Sequence, residues 1–175
     1  MNCYKVLGAG RVSCHGGTGK WTPGRWRSVH GELKPCSHAL HFCRAEDLIL
    51  WLNAEIWEAE CDDEAFVHES EKLIARRGRI IRKCEHWNEA NARLFAGWCA
   101  RRVLPLFERQ RPDDKRPRAA IETAEQYARG EATAEELDAA WYAAGPAAGC
   151  AERKIQTDAL MQLLNTGELP TVEAR

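Results

Sequence analysis

The sequence predicts an α+β fold: a small N-terminal antiparallel sheet with helices, packed on a C-terminal helical bundle. Two observations carry this. Seven of the 13 Gly fall within the first 31 residues, whereas 19 of the 26 Ala follow residue 85. Short aromatic and β-branched runs bounded by Gly, Pro and Ser fill the front, and apolar residues at helical spacing fill the back. The chain has 175 residues, 45% of them hydrophobic and 29% charged, enough to bury a core without disulfide or metal staples. The expected domains are 1–84, a small β-rich region followed by two helices, and 85–175, a helical bundle.

The strands expected in the front are Tyr4-Lys5-Val6-Leu7, Arg25-Trp26-Arg27-Ser28-Val29 and Leu40-His41-Phe42-Cys43. Between the first two, Gly8 to Gly24 is too rich in Gly for a packed element and reads as an exposed loop. From Ala45, the residues Leu48, Leu52, Ile56 and Ala59 recur every three or four positions, which predicts an amphipathic helix. A second helix is expected from Phe66 to Arg77, with Gly78 as a left-handed cap. Trp87 through Glu108 gives a longer helix, with Leu94 and Trp98 as its core pair and Pro105 kinking or ending it. Asp113 or Asp114 can cap the next helix, which Gly130 closes. Thr133-Ala134-Glu135-Glu136 is a capping box. Pro146 and Gly167 bracket a last helix with the stripe Ile155, Leu160, Leu163 and Leu164.

Charge is arranged in blocks. The net charge of −1 is made of +6 over 1–45, −9 over 46–72, +8 over 73–118 and −6 over 119–175. Such blocks predict faces of opposite potential that either pair with each other or meet a charged partner. The candidate partner-binding residues are the acidic run Glu58, Glu60, Asp62, Asp63 and Glu64 and the basic patch Arg76, Arg77, Arg79, Arg82 and Lys83. No apolar run is long enough for a membrane helix and Met1-Asn2-Cys3-Tyr4-Lys5 opens no export signal, so a cytoplasmic location is expected, with the eight Cys reduced.

The densest cluster of chemically active side chains is Cys36, His38, His41 and Cys43. Four such ligands suit zinc, but the seven-residue spacing of the thiols is not a metal knuckle, and four ligands on one straight strand cannot converge on one ion. No metal and no cofactor is expected. Gly16-Gly17-Thr18-Gly19-Lys20-Trp21 fails as a phosphate loop, because Cys14 stands at the first Gly of that pattern and Trp21 at its hydroxyl residue.

Leu33 to Cys43, with the preceding Gly/Trp stretch and the helix expected after it, resembles an uncharacterised domain of phage and bacterial proteins with a Cys-x2-Gly-x-His-x-Cys signature. Ala39 stands at its Gly. The same layout resembles ADP-ribosyltransferase-like folds. In the back, Arg93 to Glu108, Pro112 to Glu122 and Ala128 to Glu131 are similar to an all-helical family of immunity proteins, over roughly 87–165. That second resemblance implies binding rather than catalysis. The expected function is therefore that of a phage- or mobile-element-derived accessory protein that neutralises a bacterial host protein or ribonucleoprotein defence complex through a charged surface, away from membranes. Direct nucleic-acid contact stays open. The alternatives are a nucleotide-handling enzyme with an ADP-ribosyltransferase-like front and a zinc-stabilised nucleic-acid binder. A pocket around Tyr4, Lys5 and His41 would mark the enzyme; a flat charged face would mark the inhibitor.

Overall fold

The computed structural model describes residues 2–62, 64–68, 71–144 and 153–172. Two compact units divide the chain, Met1–Trp87 and Asn88–Arg175. The first holds antiparallel sheets and the second holds helices, which is the α+β arrangement expected.

The front unit contains β1 (Asn2–Leu7), β2 (Arg27–Ser28), β3 (Leu40–Phe42), β4 (Glu55–Cys61), β5 (Phe66–His68), β6 (Lys72–Ala75) and β7 (Arg77–Lys83). They form one sheet in the order β1-β4-β7-β2 and another in the order β3-β6-β5. Only Arg76 separates β6 from β7, so one stretch of chain serves both sheets, and a bridge between Tyr4 and Cys43 ties β1 to the end of β3. Between the sheets lies a core of Cys3, Leu7, Trp21, Phe42, Trp57, Leu73 and Ile80 with small neighbours.

The two front helices expected from the sequence are replaced by strands. Residues Ala45–Leu50 form a short 3-10 helix that buries Leu48, and the chain then enters β4. The apolar spacing through Leu48, Leu52, Ile56 and Ala59 spans two different elements. Within β4 the deciding period is two: Trp57, Ala59 and Cys61 point inward and Glu58 and Glu60 outward. Phe66 to Arg77 likewise forms β5, β6 and the start of β7, because Leu73, Ile74 and Ala75 are buried in succession. Gly78 caps no helix. It sits in β7, where an added Cβ would collide with the Phe42 ring, so the reason for glycine is close approach.

The back unit contains α1 (Glu89–Gln110), α2 (Arg116–Ala128), α3 (Ala134–Ala144) and α4 (Arg153–Thr166). α1 packs on α2 and on α4, and α2 packs on α3. Asn88 caps α1 by accepting from the Asn91 N–H at 3.0 Å. Pro105 lies inside α1, which continues through it to Gln110. Thr133 and Glu136 satisfy each other's backbone N–H groups, at 2.8 and 3.2 Å, as the capping box requires. Gly130 (φ 76°) and Gly167 (φ 80°) take left-handed conformations beyond their helices. Pro146 lies outside the described residues. The core joins Phe95, Trp98 and Leu104 of α1; Leu160, Leu163 and Leu164 of α4 are also buried. Leu94 is only half-buried, so Phe95 rather than Leu94 accompanies Trp98, stacking on it at 6.4 Å.

Candidate functional site

The residues singled out by charge come together across β4 and β7. Antiparallel pairing sets Glu58 opposite Arg82 and Glu60 opposite Arg79. Arg79 and Arg82 are three residues apart and would face opposite sides of a regular strand. The pairing slips between Glu58 and Ala59, so that Ile81 becomes an extra residue on β7 and both arginines meet the two glutamates on one face. Arg82 donates to Glu58 from Nη2 and Nε, at 2.5 and 3.1 Å, and Arg79 reaches Glu60 at 2.7 Å. The Glu58 carboxylate raises the already high pKa of the Arg82 guanidinium.

The rest of the set surrounds this ladder. Asp62 accepts from the Arg77 backbone N–H at 2.8 Å, and Arg76 donates to the Gly31 carbonyl at 2.6 Å with Glu64 3.6 Å away. Lys83 stands opposite Trp57 at the end of the ladder. Asp63 lies outside the described residues. Sequence reasoning missed Trp26, which is 39% exposed and whose ring carries the Arg77 and Arg79 guanidiniums 4.8 and 4.9 Å from its centroid. The signal available was Trp26 itself, a large aromatic between two arginines in a short strand.

A second feature is a cavity of about 380 Å³ in the front unit, bounded by the loop from Ser13 to Thr18, by Lys5 and Arg27, and by residues 36–41. Lys5 and His41 line it, and Tyr4 does not. The loop is held open by left-handed residues, His15 (φ 53°), Gly16 (φ 83°) and Gly19 (φ 88°). The Lys5 ammonium donates to the His41 carbonyl at 2.6 Å and lies over the Trp21 and Phe42 rings. Arg27 lies over the same Trp21 ring at 4.8 Å. Burial lowers Lys5 to about 8, and the nearby Arg27 charge acts in the same direction.

The cysteine and histidine cluster takes separate paths around this cavity. Cys43 is buried, its thiol pushed up to about 12 by that burial. The Cys36 N–H donates to His41 Nε2 at 3.1 Å, and Cys36 Sγ is 3.3 Å from the Lys72 ammonium. His38 Nε2 donates to the His30 carbonyl at 2.7 Å. Among the described residues, no three His, Cys, Asp or Glu side chains are grouped to hold a metal ion.

With this geometry in place, comparison with known proteins bears on the back unit. Residues 82–163 match the family model described as "Imm-5 like putative immunity protein". The matched stretch runs from the end of β7 through α1, α2 and α3 into α4, and the front motif lies outside it. No curated protein and no solved structure matches the chain. The similarity agrees with the resemblance read from Arg93 to Glu131. Among the described residues, no helix is long and apolar enough to cross a membrane.

Proposed function

We propose that this chain is an immunity protein that neutralises a bacterial toxin by binding it. The observation that carries the reading is the family match over residues 82–163. The contact we assign to the front unit is the outward face of β4 and β7: Glu58, Glu60, Arg79 and Arg82, with Trp26 and Arg77 at its edge. Trp and Arg dominate the energetics of protein interfaces, because both bury large rigid surfaces and still offer polar edges. The internal ion pairs hold these side chains in place before a partner arrives, which lowers the entropy lost on binding.

The test begins by capturing toxin from bacterial lysate with the tagged full chain. The captured toxin is then expressed with and without the chain. The proposal expects growth arrest by the toxin alone, rescue on co-expression, and a stoichiometric complex in gel filtration. Capture of no toxin, or a captured toxin that arrests growth equally in both strains, sinks the reading. For the surface, Trp26→Ala is expected to speed dissociation while leaving the circular dichroism spectrum unchanged. Unaltered dissociation would place the contact elsewhere.

A further inference from the structure

The front-unit cavity has a property that the immunity reading does not use: among the described residues that line it, the charged ones are Lys5, Arg27 and Lys72, with no Asp or Glu. Lys5 and Arg27 converge on the ring of Trp21, at 5.0 and 4.8 Å from its centroid. Among the described residues neither has a carboxylate partner. Lys5 spends one of its three donors on the His41 carbonyl. Arg27 has five donors in a rigid fork, and its contacts among the described residues are with the ring and the Gly-rich loop.

The loop leaves that fork accessible. A Cβ at Gly19 would lie 3.1 Å from Arg27 Nη2, so a larger residue there would cover the guanidinium. Cations gathered in a partly desolvated cavity without counter-charge are unfavourable to the empty protein, and an anion that bridges them removes that cost. A monocarboxylate would neutralise one of the two charges at Lys5 and Arg27. A phosphoryl group carries about two at neutral pH and fits the fork of an arginine. The cavity, at about 380 Å³, also exceeds what a bare phosphate fills, and Trp51 and His15 add ring surface to its wall.

We infer that this cavity binds a small organic phosphate of mononucleotide size, with its phosphoryl oxygens between Lys5 and Arg27 and its organic part toward Trp51. The inference does not depend on the proposed toxin binding, since its residues lie outside the region matched to immunity proteins.

Isothermal titration of the full chain with AMP, adenosine and inorganic phosphate, in a phosphate-free buffer of low ionic strength, tests it. AMP is expected to bind at least about tenfold more tightly than adenosine or inorganic phosphate. Arg27→Gln is expected to weaken AMP by about tenfold or more, the loss of hydrogen bonds to a charged group. Arg25→Gln, an exposed cation outside the cavity, should change it less than about twofold. If Arg27→Gln does not fold, Lys5→Met decides by the same criterion. Absence of AMP binding overturns the inference, as does equal binding of AMP and inorganic phosphate, or AMP affinity untouched by the cavity substitutions.

Discussion

Gly78→Ala probes how closely the two sheets of the front unit approach. The new methyl carbon would overlap Cζ of Phe42 and lie 2.8 Å from Cε2 and 2.9 Å from the Glu60 carbonyl oxygen. Ordinary contacts of these atoms are near 3.5 Å or more. The ring has little room to retreat: Phe42 is 1% exposed, Trp21 stands edge-on to it at 5.9 Å, and the Lys5 ammonium lies over its other neighbourhood at 5.4 Å. Overpacking a core costs about 1–3 kcal/mol, and clashes with both ring and backbone place this site at the upper end. The unfolded chain loses entropy with alanine, which returns about 0.4–1 kcal/mol. A net loss of about 2–2.6 kcal/mol is expected, equivalent in a unit of this size to a fall in Tm of roughly 8–20 °C. Urea and thermal unfolding in reducing buffer, followed by tryptophan fluorescence, measure it. Phe42→Leu removes the obstructing ring edge, so the double substitution should be at least about 1 kcal/mol more stable than the sum of the single effects. A loss below about 0.5 kcal/mol for Gly78→Ala, or strict additivity, would refute the packing argument.

In the back unit, Trp98→Ala should cost about 3–5 kcal/mol in chemical denaturation, since the ring is buried on Phe95 and its Nε1 donates to the Pro170 carbonyl at 2.6 Å. Reversing the ladder with Arg79→Glu and Arg82→Glu should lower the unfolding midpoint, and adding Glu58→Arg and Glu60→Arg should restore it; an unchanged midpoint would show that the cross-strand pairs contribute nothing. The front unit should also lose stability above pH 9. There the unfolded chain ionises Cys3, Cys43 and Cys84, while the native thiols stay protonated: Cys3 by its hydrogen bond with Cys61 and by burial, Cys84 (raised to about 11) and Cys43 (raised to about 12) chiefly by burial. Each thiol removes about 1 kcal/mol between pH 9 and 10, and Lys5, lowered to about 8, returns about 1 kcal/mol because the native state sheds its proton first. The net fall is about 2 kcal/mol; a flat profile between pH 9 and 10 in reducing buffer would contradict it.

Local signals revealed much of the back unit and only the beginnings of the front. The Thr133 capping box, the glycines at 130 and 167 and the Leu160–Leu163–Leu164 stripe act within one helix or at its end, so sequence spacing contains them. The front unit depends on partners distant in the chain. The spacing of Leu48, Leu52, Ile56 and Ala59 matched a helix by coincidence across a 3-10 helix and a strand, and nothing adjacent to Gly78 announces that the Phe42 ring will rest on it. The acidic and basic runs were visible as runs, but their pairing required the bulge at Ile81, which aligns side chains that strand periodicity alone would separate. The convergence of Lys5 and Arg27 on Trp21 was hidden for the same reason: three segments meet there, and only the lone lysine within the apolar strand Tyr4 to Leu7 hinted at it.

The pairing pattern of the front sheets also governs when they can form during synthesis. β1 finds its only long partner in β4, with Asn2 opposite Glu60 and Leu7 opposite Glu55, and β2 finds its partner in β7, with Ser28 opposite Arg77. The first half of this unit therefore leaves the ribosome with only the Tyr4–Cys43 bridge to join its strands, and the sheets are not complete until roughly residue 83 has emerged. Helices α1 to α4 are made of near neighbours and face no such delay. A nascent chain stalled before β7 is accordingly the species most exposed to edge-to-edge association and to chaperone capture, whereas one extended a few dozen residues further has closed both sheets.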